Sequence, residues 1–173
     1  YEARAFGVRS AMACSQAKRL CPEAIFIHPR FEAYRNASDI IMNYFKTITH
    51  RVEPLSLDEA YLDVTENHCR ESSATQIAKM IRADILHKTG LTASAGVSSN
   101  KFLAKLASDL AKPNGLKVIL PKDAKTFLKN TELRRFFGVG EKTEAKLLEQ
   151  GFKTGGDFQA LSLEAAVRKW GNL

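Results

Sequence analysis

The sequence predicts an α+β fold followed by a small helical segment, and three observations carry that prediction. Apolar residues recur at helical spacing in three windows: Ile40 to Ile48, Ile77 to Ile85, and Phe102 to Leu110. Short strand-like runs separate these windows. From about Glu132 the chain turns helical and basic. At 173 residues, 45% hydrophobic and 26% charged, the composition is that of an ordinary globular protein able to bury a core. No apolar run approaches the roughly 18 residues of a membrane span, so no membrane partner is expected.

The elements follow in order. Residues 1–30 are short-ranged, punctuated by Gly7, Pro22 and Pro29, with one short helix over Ser15–Leu20. Phe31 to Thr49 reads as a helix, with Ile40, Ile41, Tyr44, Phe45 and Ile48 at helical positions. Val52–Leu55 and Ala60–Val64 read as two strands, with Pro54 marking an edge or bend. An amphipathic helix over Ser73–His87 places Ile77, Ile81 and Ile85 on one face, and Gly90 stops it. Leu91–Val97 is a strand. Ser98 or Ser99 caps the next helix, whose stripe is Phe102, Leu103, Leu106, Ala107 and Leu110. Lys101, Lys105 and Asp109 are expected on its surface. Pro113-Asn114-Gly115 turns the chain into a last strand, Leu116–Leu120. The order is that of a ferredoxin-like arrangement with its first strand missing. Pro121 to about Thr131 reads as a linker with one short helix.

Charge is uneven. Residues 1–100 carry 12 Lys/Arg against 11 Asp/Glu, whereas residues 101–173 carry 14 against 8, a net +6. A basic C-terminal part points to a polyanion such as nucleic acid, or to a solvated basic face. Cys14, Cys21 and Cys69 are odd in number and lack a framework spacing, so reduced thiols are expected. A zinc site formed by these with His28 or His68 lacks any paired C-x2-C spacing.

Four constellations carry chemistry. The first is Ser56-Leu57-Asp58-Glu59-Ala60-Tyr61-Leu62-Asp63, which sets carboxylates in an apolar, aromatic run. Acids are poor strand formers and are seldom buried without a partner. Mg2+ suits them, because it takes oxygen ligands from one or two carboxylates plus substrate phosphates. The alternative is one acid in a turn and the others in solvent. Successive strand side chains point to opposite faces, so Asp58 and Glu59 reach one site only near a strand end. The second is Lys112-Pro113-Asn114-Gly115, a post-helix lysine restricted by the following proline and suited to phosphate, or a solvated turn lysine. The third is Tyr1 with Arg4, a phenol and a guanidinium three residues apart that can clamp a phosphate.

The fourth constellation runs from Phe137-Gly138-Val139-Gly140 through Lys142 to Leu148. It reads as the turn of a helix-hairpin-helix, with Ala145 and Leu148 facing inward. Glycines let backbone approach a phosphate, and the following helix offers free N–H groups. An ordinary turn between two helices is the competing reading. Gly155-Gly156-Asp157-Phe158 superficially matches a diguanylate-cyclase signature but lacks the following acid.

Together these segments resemble the Y-family of translesion DNA polymerases, most closely its bacterial DNA polymerase IV branch. The matching runs are Tyr1–Val8, Ser56–Val64, Thr92–Val97, Asn100–Lys105, Lys112–Gly115 and the Gly138-Val139-Gly140 turn, in the family's order and spacing. The resemblance implies partial fingers at 1–30, a partial palm at 31–120, and a small helical thumb at 121–173 carrying the helix-hairpin-helix. It implies that Asp58 and Glu59 are catalytic and hold metal, with two Mg2+ ions in the complete site. Tyr1, Arg4 and Lys112 would grip the incoming deoxynucleotide triphosphate, and Gly138, Val139, Gly140 and Lys142 would contact the DNA backbone. All five catalytic and nucleotide-gripping residues should converge on one cleft.

The implied reaction is template-directed DNA synthesis from a primer 3′-hydroxyl during damage tolerance, in the bacterial cytoplasm and at the nucleoid, by a monomer. The family's first strand, with its first catalytic aspartate and its sugar-selecting aromatic residue, is absent from this sequence. So are the little-finger domain and the sliding-clamp peptide. The expectation is therefore a fragment with negligible activity of its own. Two readings stay open beside it: a non-catalytic DNA-binding module using the hairpin, and a palm-type nucleotide cyclase.

Overall fold

The structure, a computed structural model, describes residues 1–171. It divides into two compact units, residues 1–34 and the chain from Arg35 onward. The first unit contains α1 (Glu2–Ala5) and α2 (Cys14–Leu20). Ala17 and Cys21 are buried, while Ile25 and Ile27 are exposed. The three cysteines are free thiols.

The second unit opens within α3 (Phe31–Ile48), whose Phe45 and Ile48 are buried. Then come β1 (Val52–Pro54) and β2 (Ala60–Leu62), an antiparallel hairpin in which Glu53 lies opposite Tyr61. Buried Thr49 ties the helix end to this hairpin, its hydroxyl donating to the Asp63 carbonyl at 2.8 Å. Helix α4 (Ala74–Thr89) begins at Ser73, whose side chain accepts from the Gln76 N–H, and ends at Gly90 in the left-handed region (φ 70°). Gly90 is the stop that the sequence marks, whereas Ser73, read as the first helical residue, is the cap just before it.

Strand β3 (Ala95–Val97), helix α5 (Lys101–Leu110) and strand β4 (Leu116–Val118) form a β–α–β unit with parallel strands. The helix buries Leu103, Leu106 and Ala107. Its cap is Asn100, whose side chain accepts from the Leu103 N–H at 2.9 Å, and not Ser98 or Ser99. Ser98 spends its hydroxyl on the Ile119 carbonyl, closing the strand end, and the helix starts one residue after Asn100.

The expected ferredoxin-like palm sheet is not continuous. The described strands form two separate two-stranded ladders, β1–β2 and β3–β4.

The segment read as a linker is helix α6 (Pro121–Lys129), with proline at its start as helix N-termini favour. It is packed, not free: Ala124, Phe127 and Leu128 cover the Leu103, Ala107 and Ile119 core. A second core gathers Leu133, Leu147 and Phe152, flanked by Phe136, Val139, Phe158 and Leu161. It draws on a short 3-10 turn (Leu133–Arg135), α7 (Glu141–Glu149) and α8 (Gly155–Gln159); α9 (Leu163–Trp170) follows.

Here the inward face of α7 differs from expectation. Leu147 is buried, whereas Ala145 and Leu148 are exposed. The Phe152 N–H bonds back to the Leu147 carbonyl at 2.9 Å, so the chain folds over at Leu147 and fixes that residue in the core. Gly155 and Gly156 serve packing: a Cβ on Gly155 would collide with the Leu128 carbonyl of α6. The range read as 121–173 ends at Asn172 and Leu173, which lie outside the described residues.

Candidate active site and nucleic-acid interface

The β1–β2 hairpin places its acids at the tip. The N–H groups of Leu55 and Ser56 both bond the Glu59 carbonyl, at 2.8 and 3.3 Å, closing a short turn over residues 56–58. Asp58 is therefore in a turn, and Glu59 stands just before β2. Asp58 is exposed, and its recorded side-chain partner is the Ser56 hydroxyl, which donates at 2.6 Å. Asp63, at the far end of the run, is engaged elsewhere: it pairs with Arg51 at 3.1 Å.

The Asp63 carboxyl is drawn down to about 2 from an ordinary value near 3.8, first by hydrogen bonds from Thr65 and then by the Arg51 guanidinium. A depressed folded-state value stabilises the fold above the unfolded value and loses that contribution on acidification. Acid unfolding between about pH 4 and pH 2 should therefore lose part of its pH dependence in an Asp63→Asn variant, as checked by circular dichroism across that window. An unchanged acid limb would mean that the Asp63 carboxylate, with its Thr65 and Arg51 partners, contributes nothing.

Glu59 looks toward α5. Its Oε1 accepts from Lys105 Nζ at 2.7 Å and lies 3.6 Å from Lys112 Nζ. Asp109 completes the group, with Oδ1 at 2.7 Å from Lys112 and Oδ2 at 3.7 Å from Lys105. The Lys105 side chain is only 10% exposed. The Lys112 pKa is raised, mainly by its hydrogen bond to Asp109, against the opposing effect of burial. Behind Lys112, Arg82 holds the turn by donating to both the Asn114 carbonyl (2.7 Å) and its Oδ1 (2.9 Å). A second link between hairpin and helix is the Lys101–Glu53 ion pair, with Lys101 also over the Tyr61 ring.

The sequence placed Lys105 and Asp109 on an open helix surface. The structure instead folds the hairpin tip against them. Part of the signal was present in the spacing, since Lys105 and Asp109 lie at i and i+4 on one helical face, with Lys112 in the turn just past the helix end.

The other candidates fall in two places. Tyr1 and Arg4 belong to the first unit, where the Arg4 guanidinium lies over the Tyr1 ring at 5.9 Å and donates to Ser10 Oγ at 3.3 Å. Gly138, Val139 and Gly140 form the turn into α7, and Lys142 lies in the first turn of that helix. Gly138 adopts φ 89°, Val139 is anchored by its N–H to the Phe136 carbonyl at 3.0 Å, and Gly140 is the residue before the helix. Phe137, just before this turn, is exposed and lies 5.7 Å over Lys105 Nζ.

Among the described residues no three His, Cys, Asp or Glu side chains form a metal cage. Asp58 and Glu59 still fit a hard divalent cation. They are adjacent oxygen donors, one open to solvent and the other using a single oxygen for its lysines.

Comparison with known proteins bears on the family and the fold. Residues 1–109 match the impB/mucB/samB family. The chain belongs to that family. It is 56% identical over 171 residues to DNA polymerase IV 3 of Mesorhizobium japonicum, covering 99% of this chain and 47% of that protein. It is 53% identical to DNA polymerase IV of Clostridioides difficile, covering 94% and 45%. Among solved structures, DinB from Sulfolobus solfataricus superposes with a TM-score of 0.88 at 34% identity, covering 99% of this chain and 51% of that one. The insertion ternary complex of Dbh DNA polymerase gives 0.87 at 34% identity, covering 99% and 50%. The chain spans about half the length of these relatives. No described helix is long and apolar enough to cross a membrane.

Proposed function

We propose that these residues belong to a template-directed DNA polymerase of the translesion type. Residues 1–30 would serve as part of the fingers, 31–120 as part of the palm, and 121–173 as a thumb. The observation that carries this reading is the meeting of Glu59 and Lys112, 3.6 Å apart, beside a hairpin tip that presents Asp58. A pure DNA-binding module has no use for exposed acids next to its ligand's phosphates, and a cyclase has no use for the basic hairpin segment.

In this reading Asp58 and Glu59 hold Mg2+, two ions in the complete site. When bound there, the metal would supply charge neutralisation for phosphoryl transfer, with Asp58 and Glu59 as the residues that would hold it. The remaining work is done by positioning. Lys112 meets the phosphates of the incoming deoxynucleotide, backed by the Arg82–Asn114 bracket. Tyr1 and Arg4 contribute a phenol and a guanidinium to the same triphosphate. In the Gly138-Val139-Gly140 turn the two glycines would offer backbone N–H groups, with Val139 anchored to Phe136 between them, and Lys142 a charge, to the DNA backbone in helix-hairpin-helix fashion. Glu141 and Glu144 in the first turn of α7 offset its positive end, so the contact is local and not a broad basic patch. Because the described residues bring two acids and not three to the tip, the 173 residues alone should incorporate nucleotide at a negligible rate. Clamp engagement, through a segment outside these residues, monomeric action and location at the bacterial nucleoid belong to the same reading.

The test is primer extension by the full-length protein: Mg2+-dependent incorporation is expected, and its absence would refute the reading. DNA affinity should also fall linearly with salt on a log–log plot, by roughly 0.9 in slope per phosphate neutralised on duplex, with little dependence on sequence. A salt-insensitive affinity would remove the hairpin turn from the DNA interface.

A further inference from the structure

Two lysines and two carboxylates form a closed set here, and each lysine is shared between the same two acids with opposite preference. Lys105 sits at 2.7 Å from Glu59 and 3.7 Å from Asp109, whereas Lys112 sits at 2.7 Å from Asp109 and 3.6 Å from Glu59. A shift of about 1 Å therefore exchanges partners, within reach of ordinary side-chain motion. The two lysines are not equivalent: the Lys105 side chain is 10% exposed and that of Lys112 43%. A nearly buried ammonium is costly without a partner, while a half-exposed one is not.

We propose that Asp109 and Lys105 are positioning residues forming a charge relay, in which a divalent cation at Glu59 passes Lys105 to Asp109 and so frees Lys112 for nucleotide phosphates. The inference rests on the proposed polymerase reading and adds to it two residues that touch neither metal nor nucleotide. Once Glu59 is engaged, one carboxylate remains for two ammonium groups. The buried lysine takes it, and the exposed lysine is released toward solvent and substrate. Cation and nucleotide binding are thereby coupled through Asp109, and the coupling is reciprocal.

The test uses the full-length protein and Mg2+ alone as the probe, with binding measured by calorimetry in the absence of turnover. In D109N, Lys105 has no second carboxylate to move to and stays on Glu59, so Mg2+ affinity should fall roughly tenfold. In K105M the nearer competitor for Glu59 is gone and Lys112 keeps Asp109 as its closer partner, so affinity should rise several-fold. On an E59Q background both differences should vanish.

Opposite signs are the signature of the relay, because a merely structural role would weaken binding in both variants. Same-sign changes overturn the proposal, as do opposite-sign changes that persist undiminished in E59Q, which would indicate through-space charge alone. If K105M does not fold, K105Q takes its place, and D109N compared with D109N/E59Q decides. Wild-type primer extension separates the two levels of inference. An active wild type with same-sign variants removes only the relay, whereas a wild type without Mg2+-dependent synthesis removes the polymerase reading and the relay with it.

Discussion

Asp58→Ala in the full-length protein should cost about a thousandfold in kcat/KM for nucleotide incorporation, roughly 4 kcal/mol of transition-state stabilisation, while leaving the fold intact. The separation of the two effects is the point of the experiment. Asp58 is exposed at the hairpin tip, and its side chain is recorded bonding only with Ser56, so its removal leaves no cavity and no orphaned buried group. A surface change of this kind shifts stability by about 0.5 kcal/mol or less. In the proposed polymerase reading, chemistry by contrast would lose a charged oxygen ligand that nothing nearby replaces, since Glu59 is shared with lysines and Asp63 is committed to Arg51. Single-turnover primer extension and a urea melt on the same preparation report both quantities. Activity within tenfold of wild type would take Asp58 out of the reaction. Asp63→Ala, which alters a paired carboxylate of the same segment, is the matching control and should retain incorporation.

The largest expected effect on folding belongs to Gly96→Ala. Gly96 lies in the middle of β3, where α5 crosses it. A Cβ there would fall inside van der Waals contact of the Ala104 carbonyl oxygen, the Ser108 amide nitrogen and the Ala107 Cβ. Two of these three atoms are helix backbone, which cannot rotate away as a long side chain would. The strand and the helix must separate, and the layer that separates contains Leu103, Leu106 and Ala107, the best-buried stripe of the helix. A loss on the order of 3 kcal/mol is expected, seen as a lower urea midpoint at unchanged slope. Because α5 also carries Lys105 and Asp109, incorporation should fall in parallel. A variant with wild-type stability would mean that β3 and α5 are not packed as described.

Much of this was legible in the sequence because it is local. The helices at 31–48, 74–89 and 101–110 announce themselves by periodicity, and Gly90 by the chemistry of helix ends. The family resemblance rested on short runs that need no tertiary information. What escaped depends on partners distant in the chain. Lys105 looks like a surface lysine until the hairpin, 46 residues earlier, folds onto it. Asn100 was passed over because Ser98 is an equally good cap by composition, and only the Ile119 carbonyl shows that its hydroxyl is taken. Leu147 and Leu148 are adjacent and equally apolar. The choice between them was made by Phe152 folding back, which helical spacing cannot register. The single sheet was expected from element order, but order alone does not specify which strands lie side by side.

The two separate ladders have a practical consequence. Each two-stranded ladder leaves both outer edges without a partner strand among the described residues. Unpaired N–H and C=O groups along such edges are templates for strand addition, and two-stranded ribbons are only marginally stable in water. Produced alone at high concentration, these 173 residues would recruit one another through those edges. Light scattering that grows with concentration would then reflect self-association, and loss of material in such a preparation says nothing about the stability of the two packed cores.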